Sequence, residues 1–275
     1  MSRNILQGLV GAWCPTLGPS GYALLDRSVR SNHGTLTNMD AGSDWVSTPS
    51  GWALDYDGTN DHVTIGNKLN DVIAGASARF TITQWIRTSQ NINQLNVSKL
   101  DGGAGQRQFF IRANDDGLDF TWYGALDASS FRVVRAAYQF TTAGWTHIAA
   151  TFNAQIAAAN DKVSLFINGK RQSFTIPFTN GTPVSIPEGT AALAIGCSFT
   201  NTVPSLSFNG QIGETAMFSR VLTDAEIWQL YNLGQSGLGR LLTPQRRSYA
   251  FRVPAAAAKS YLFVNRGQVI GGGTL

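Results

Sequence analysis

The stretch Ala53-Leu-Asp-Tyr-Asp-Gly-Thr-Asn-Asp-His-Val63 decides the fold of this chain. It joins two short β-rich runs, residues 52–56 and 62–65, and such runs bounded by Gly, Asn and Asp are typical of β-strands. Between the two runs lies Asp57-Gly58, a pair of residue types that tight turns favour. The stretch therefore predicts two β-strands joined by a tight turn.

Similar short runs, bounded by Gly, Asn and Asp, recur along the chain. They cover residues 9–13, 52–56, 62–65, 80–87, 108–113, 118–122, 145–152, 162–167, 192–195 and 210–218. Many short strands separated by turn residues are typical of β-sandwiches. Asn168-Gly169, which follows one of these runs, predicts a type I′ hairpin turn. The sequence therefore predicts an all-β domain.

One helix is predicted after residue 223. Thr223 is a suitable N-cap, and Glu226 occupies the position that completes a capping box. Ile227, Leu230 and Tyr231 then form an apolar stripe at helical spacing. Beyond Gly234 the pattern changes to a Gly-rich, basic segment, so we predict one domain over residues 1–234 and a tail over residues 235–275.

Composition limits the classes of function. Hydrophobic residues make up 43% of the chain and charged residues 14%, against roughly 25% charged in average proteins. The net charge of +4 is uneven, because six basic residues and no acidic one follow Glu226. The main body is therefore near neutral, which makes nucleic-acid binding an unfavoured interpretation.

Location and redox state are also predicted from the sequence. The N-terminus lacks the pattern of a signal peptide, and no apolar run reaches 18 residues, so we expect synthesis in the cytosol and no membrane span. Cys14 and Cys197 each lie in an apolar, strand-like run. This favours two buried free thiols, with a disulfide as the alternative.

Three successive motifs resemble those of laminin-G-like domains: Gly8-Leu-Val-Gly-Ala-Trp13, Leu25-Asp-Arg-Ser28 with Asn32-His-Gly-Thr-Leu36, and the stretch quoted first. The resemblance continues in order to residue 233. It implies a two-sheet antiparallel jelly-roll sandwich of the concanavalin A-like kind, with one short C-terminal helix and an extended tail. Relatives include lectins and glucanases, so the fold alone leaves the activity open.

No catalytic residue is predicted. Retaining glycosidases need two carboxylates about 5 Å apart, and the resemblance implies that glucanases of this fold carry them on one strand. The chain has three glutamates, none within eight residues of another, and no such strand. The three histidines, His33, His62 and His147, lie at positions that the fold explains.

A structural Ca²⁺ site is one interpretation of the loops that match the resemblance. Ca²⁺ prefers six to eight oxygen ligands. The candidate ligands are Asp26, Asn32, Asp57, Asp61 and Glu214. The alternative is that the aspartates at 57 and 61 form Asx turns and that Glu214 pairs with an arginine.

Carbohydrate binding would need exposed aromatic platforms. Trp45, Trp122 and Tyr123 lie in or beside predicted loops and are the candidates. The remaining strand-borne tryptophans that the resemblance matches are expected in the core, and these are Trp13, Trp85 and Trp145.

The tail is predicted to dock. Residues 249–253 and 261–264 alternate like strands that add to a sheet edge, and the segment is rich in arginine. The candidate assembly residues are Arg246, Arg247, Tyr249, Phe251, Tyr261 and Phe263. The alternative is that the tail wraps around its own sandwich.

The combined interpretation is a non-enzymatic structural virion protein, such as a capsid decoration or another exterior component. Its partners would be other virion proteins or copies of itself, reached through the tail. The alternatives are a carbohydrate-binding module on a cell or phage surface, located outside the cell, and, third, a glycan hydrolase.

Overall fold

The computed structural model describes residues 5–49, 51–88, 93–140 and 144–235, together with the backbone of residues 261–265 and 268–273. The chain divides into two compact units, Met1–Thr243 and Pro244–Leu275. In chain order, the strands of the first unit are β1 (Leu9–Trp13), β2 (Ala23–Leu24), β3 (Gly34–Thr37), β4 (Trp45–Thr48), β5 (Gly51–Asp57), β6 (His62–Gly66), β7 (Arg79–Arg87), β8 (Gln94–Asp101), β9 (Gln106–Asn114), β10 (Gly117–Tyr123), β11 (Phe131–Ala137), β12 (Thr146–Asn153), β13 (Val163–Ile167), β14 (Lys170–Arg171), β15 (Thr175–Asn180), β16 (Leu193–Ile195), β17 (Ser198–Thr200), β18 (Val203–Ser205) and β19 (Asn209–Phe218). The helices are α1 (Asn70–Ile73) and α2 (Asp224–Gln235), and 3₁₀ turns cover Pro15–Leu17 and Ala159–Lys162.

These strands form two large sheets within the described residues. Sheet A has the order β14-β13-β12-β7-β19-β5-β4, with β1 also paired to β19. Sheet B has the order β15-β11-β10-β9-β8-β16-β6-β3-β2, with the β17–β18 hairpin beside β8. Apart from the contact of β17 with β8, the pairings are antiparallel. The predicted two-sheet antiparallel sandwich is confirmed.

The main core lies between the sheets, where alternate residues of each strand point inward. Phe80 of β7 stacks on Phe152 of β12 and meets Phe109 of sheet B, with ring centroids 5.3 and 5.6 Å apart. All three rings are fully buried. Burying such a side chain stabilises the fold by about 1.5–3 kcal/mol.

Helix α2 begins as its sequence predicts. The amide of Glu226 donates to Thr223 Oγ1, and the amide of Thr223 donates to Glu226 Oε2, which together make a capping box. The guanidinium of Arg220 binds the same carboxylate. Ile227 and Leu230 then pack on a second apolar cluster, on the outward face of sheet A.

The turn between β13 and β14 is the predicted type I′ turn. Asn168 and Gly169 both have positive φ, 49° and 75°. A Cβ at Gly169 would lie 2.8 Å from a ring carbon of Trp228, so glycine is required there by packing as well as by conformation.

The second unit contains a hairpin. Tyr261–Asn265 pairs antiparallel with Gln268–Gly273, so the strand expected at residues 261–264 is formed, with a partner in the tail itself. Residues Arg246, Arg247, Tyr249 and Phe251, and the side chains of Tyr261 and Phe263, lie outside the described residues. None of the helices in the described part of the chain has the length and apolar character that a membrane span needs.

Candidate functional site

A cleft of about 540 Å³ opens on the outward face of sheet B. Its position follows from the alternation in β6: Val63 and Ile65 point into the core, so His62 and Thr64 point away from it. The cleft is lined by Thr37, Asn38, His62, Thr64, Asp101, Ala104, Gln106, Thr190, Ala191, Ala192, Phe199, Thr202 and Pro204.

The floor of the cleft is apolar. Phe199 belongs to a small buried cluster with Ala194 and Cys197, separate from the main core. The ring of Phe199 meets that of His62 edge to face, with centroids 5.4 Å apart and an interplanar angle of 82°. Ala194 on β16 and His62 on β6 lie on paired strands, and Phe199 lies on β17, which pairs with β8 on the other side of β16, so strands of sheet B hold the floor in place.

One wall of the cleft is the tip of the β17–β18 hairpin. Its turn residues Asn201 and Thr202 have φ of 51° and 68°, a region that costs a non-glycine residue free energy. The carboxylate of Asp101 stabilises this turn: Oδ1 accepts from the amide of Asn201 at 2.8 Å, and Oδ2 accepts from that of Thr202 at 2.9 Å. Oδ1 also accepts from the amide of Ala104, which ties the β8–β9 loop to the same tip.

Two titratable groups line the cleft, and their charge states follow from their contacts. Burial raises the pKa of Asp101, but the backbone amides around it, including those of Ala104 and Thr202, outweigh burial and hold that pKa below its ordinary value. Burial lowers the pKa of His62, opposed by a contact with the carbonyl of Asn60. The imidazole is therefore neutral at pH 7, and a protonated Nδ1 donating to Asn60 leaves Nε2 as an acceptor.

The cleft thus offers a specific chemistry. Gln106 Oε1 accepts from the amide of Thr190, which leaves the Nε2 amide group as a donor. Hydroxyl groups of Thr37 and Thr64 add groups that can donate and accept. An apolar floor with hydroxyl, amide and imidazole groups around it can bind a small molecule that has both an apolar face and several hydroxyls.

An aromatic band lies on the same outward face, across strands β9, β10 and β11. It consists of Phe110, Tyr123 and Phe131, with the ring of Tyr123 6.3 Å from Phe110 and 5.7 Å from Phe131. The guanidinium of Arg112 lies over Phe110, 5.6 Å from the ring centroid. All of these side chains are half-buried, so each keeps an accessible part.

Two of the three predicted aromatic platforms are wrong. Trp122 is fully buried, between Phe120 and Phe152, because Leu118, Phe120 and Trp122 form the inward-facing row of β10. Trp45 is buried and donates its indole N–H to the carbonyl of Gly21. Tyr123, one residue further along β10, faces outward in the aromatic band.

Two of the three tryptophans expected in the core are there: Trp13 and Trp85 are buried, with 2% and 5% of their surface exposed. The prediction is wrong for Trp145, which is half-buried because it lies just before the first residue of β12.

The carboxylates predicted to bind calcium make hydrogen bonds within different loops. The carboxylate of Asp26 accepts backbone amides of Ala12, Ser28 and Asn32 at 2.8 Å each. In the part of the chain that the structure describes, no three His, Cys, Asp or Glu side chains are grouped as metal ligands would be.

The turn around Gly58 shows the Asx contacts of the alternative interpretation. Asp57 Oδ1 accepts from the amide of Thr59 at 2.7 Å, and Asp61 Oδ2 accepts from the amide of Asp57 at 3.0 Å. Burial raises the pKa of Asp61 to about 6. Since these oxygens already accept N–H donors, they fit a turn better than a hard cation. The calcium site stays a prediction.

Both cysteines are buried free thiols, as predicted. The thiol of Cys14 donates to Glu214 Oε2 at 3.5 Å. Burial raises the pKa of Cys14 well above its ordinary value, and the neighbouring Glu214 raises it further, so this sulfur stays protonated at neutral pH.

A comparison of the sequence with models of known protein families identifies the family of this chain. A family model described as the concanavalin A-like lectin/glucanases superfamily matches residues 57–228. The chain belongs to this superfamily. No curated protein sequence matches it.

Solved structures with a similar fold include binding domains of botulinum neurotoxins and of a mosquitocidal protein. The receptor-binding domain of botulinum neurotoxin D has a TM-score of 0.59 and 11% identity, covering 85% of this chain and 54% of that one. The binding domain of Paraclostridial Mosquitocidal Protein 1 has a TM-score of 0.57 and 15% identity, covering 82% and 52%.

A third similar structure concerns botulinum neurotoxin type C, whose cell entry depends on interaction with two ganglioside molecules. It has a TM-score of 0.56 and 15% identity, covering 84% of this chain and 52% of that one. The chain therefore spans about half the length of these structures. At such low identity the likeness concerns the fold.

Sequence reasoning missed most of the cleft. Phe199 and Thr202 lie in the β17–β18 hairpin, and Asp101 is the last residue of β8. The alternation of polar and apolar residues in the sequence predicted neither the hairpin nor this strand. A signal was present at His62 and Thr64, whose outward orientation follows from the alternation in β6.

Proposed function

We propose that this chain is a non-enzymatic glycan-binding domain whose site is the cleft on the outward face of sheet B. The observation that carries the proposal is the pairing of the Phe199 floor with the polar groups of His62, Thr64 and Gln106 around one cleft of about 540 Å³. A sugar ring presents an apolar face and a rim of hydroxyls, so it matches both parts of this surface.

The similar structures support a role in binding. Botulinum neurotoxin type C interacts with gangliosides, and the binding domain of botulinum neurotoxin DC forms a complex with rat synaptotagmin II. Gangliosides carry glycans, so the fold of this chain occurs in proteins that recognise cell-surface molecules. A protein surface is accordingly the second class of partner to be tested.

The acidic content of the cleft supports binding without cleavage. Glycosidases use a pair of carboxyl groups, about 5–5.5 Å apart for retention and farther apart for inversion. Among the described residues that line the cleft, Asp101 alone is acidic, and both of its oxygens accept backbone amides. A carboxylate occupied in this way holds the wall of the cleft in place and is poorly placed to transfer a proton.

The proposal is tested by glycan-array screening followed by calorimetry. Thr64→Val removes one cleft hydroxyl while keeping the shape of the side chain, and we expect affinity to fall about fivefold, as for the loss of one hydrogen bond of about 1 kcal/mol. Thr175→Val makes the same change on the exposed strand β15, at the far edge of sheet B, and is the matched control. Equal binding by both variants, or no glycan bound at all, would refute the proposal.

Attachment through the tail is a second proposal. It is favoured by the division of the chain, because Met1–Thr243 is compact by itself and contains both sheets and helix α2. Deleting residues 244–275 should leave the circular dichroism spectrum of the sandwich unchanged. It should abolish the assembly of the chain with copies of itself or its attachment to virus particles. Unfolding of the truncated chain, or its normal assembly, would contradict this. A place on a virion exterior stays a prediction from the sequence.

A further inference from the structure

Arg112 is a cation with unused donors beside the aromatic band. It shares the fully buried carboxylate of Asp119 with Arg135 and Asn114. Arg135 is the better satisfied of the two arginines, since its Nε and Nη2 bind Asp119 and its Nη1 binds Asp116. Arg112 uses Nη2 alone for Asp119, and its Nε is buried without a hydrogen-bond partner among the described residues.

Arg107, five residues before Arg112 on β9, is a second cation near Tyr123. Its Nη2 donates to the carbonyl of Gly102 at 2.6 Å, and its Nη1 donates to the carbonyl of Leu126 at 3.5 Å. In the described part of the chain no carboxylate lies within ion-pair distance of it. The nearby acid Asp127 is exposed and accepts the amide of Ser129. Carbonyl groups orient the guanidinium without neutralising it.

Tyr123 lies within electrostatic reach of both cations. Burial raises the pKa of Tyr123, and the positive charges of Arg107 and Arg112 lower it. The phenol group, which can donate a hydrogen bond, therefore shares one region of the sheet with two guanidinium groups. Planar guanidinium groups bind carboxylate and sulfate through paired N–H donors.

We propose that the aromatic band binds an anionic group of the glycan, a carboxylate or a sulfate, between Arg107 and Arg112 and beside Tyr123. This inference rests on the proposed function, and it names the class of ligand: an acidic glycan. The ring of Tyr123, flanked by Phe110 and Phe131, supplies the surface on which the sugar carrying the acid packs. The two arginines select the charge.

The experiment compares matched ligands on the full chain. Glycans of several backbones, each in neutral, carboxylated and sulfated form, are tested by array and then by calorimetry. We expect an acidic form to bind at least about tenfold more tightly than its neutral counterpart, with a preference that weakens at high salt. The carboxylated and sulfated arms show which acid is recognised.

Arg107→Gln and Arg112→Gln should each lower affinity for the acidic form about tenfold, the usual effect of losing a charge-assisted hydrogen bond, and leave affinity for the neutral form within about twofold. In the Arg112 variant, Arg135 and Asn114 still hold Asp119. Arg112→Lys keeps the charge without the planar fork and should recover only part of the loss. Arg79→Gln makes the same charge change on sheet A and is the control.

The outcomes separate the two proposals. Equal affinity for neutral and acidic forms, or a loss in Arg79→Gln as large as in Arg107→Gln, would overturn the anion site and leave glycan binding standing. Failure of every form, neutral and acidic, would overturn both proposals.

Discussion

The outward faces of the two sheets arise from the same alternation of residues along the strands, but one face is covered and the other is accessible. On sheet A, Phe166 and Phe218 point outward and are buried under Ile227 and Leu230 of helix α2. On sheet B, the cleft and the aromatic band keep accessible surface. The apolar surface of the first face is already buried by the helix, whereas on the second face part of it is accessible to a ligand.

The difference lies in the segments that cover each face. Strand β19 of sheet A is followed in the chain by α2, a capped helix with an apolar stripe, and such a stripe must be buried against another element. The outward face of sheet B meets the short β17–β18 hairpin, which covers part of the sheet and leaves a cleft at its side. A short, strained turn held by one carboxylate thus shapes the candidate binding site.

The largest expected effect is on the covered face. Ile227→Ala should lower the free energy of unfolding by about 2–5 kcal/mol, because it leaves a cavity between α2 and sheet A. Glycan binding at the cleft should persist in the folded protein. Chemical denaturation measures the loss, and Gln229→Ala, on the exposed side of the same helix, is the control. A similar loss in both variants would show that α2 does not seal sheet A through its apolar stripe.

A smaller effect is expected on the open face. Asp101→Asn replaces an acceptor by an amide group that cannot accept both hairpin amides, so we expect a loss of about 1–3 kcal/mol. Hydrogen exchange should speed up at the amides of Asn201 and Thr202 and not in the helix. The control is Asp127→Asn, which changes an equivalent Asx contact at an exposed turn. In this variant, hydrogen exchange at the amides of Asn201 and Thr202 should stay as in the parent chain. Unchanged protection in Asp101→Asn would mean that the turn is stable without its carboxylate.

The helix cap gives a pH-dependent effect. The guanidinium of Arg220, opposed by burial and helped by Thr223, lowers the pKa of Glu226 to about 2, from an ordinary value of 4.5. Since the folded pKa is the lower one, the stabilisation is complete above about pH 4.5 and is lost as pH falls toward 2.

Glu226→Gln should therefore cost about 1 kcal/mol at pH 7, and the difference from the parent chain should shrink as pH falls below about 4.5. Denaturation curves recorded at several pH values check this. A difference that stays constant down to pH 3 would indicate that the carboxylate charge has no part in the cap.

The smallest expected effect concerns metal. Because the carboxylates of Asp26, Asp57 and Asp61 accept backbone amides, we expect millimolar Ca²⁺ or EDTA to move the melting temperature by less than about 1 °C. A clear rise with Ca²⁺ that saturates would establish the structural calcium site that the loops predicted from sequence.

The strands most visible in the sequence were those with clean alternation, such as β6 and β7. Strand β8, Gln94-Leu-Asn-Val-Ser-Lys-Leu-Asp101, was not predicted, since its polar and apolar residues alternate only as far as Ser98 and the period breaks at Lys99. The structure adds a reason: between Leu95 and Val97 the pairing of β8 with β9 shifts register, so that Asn96 is an extra residue on β8. Such a bulge changes which residues of the strand face the core.

The sequence by itself determined the superfamily motifs, the Asn168-Gly169 turn and the capping box of Thr223 and Glu226, because each depends on residues that are neighbours in the chain. The two-sheet sandwich was predicted from the resemblance that those motifs carry. Only the tertiary structure decided that Trp122 is core while Tyr123 is surface. It alone brought Asp101 to the hairpin at Asn201, since that contact joins residues about one hundred positions apart. Local chemistry fixes turns, caps and periods, whereas a binding face is assembled from strands whose order and register are set by packing.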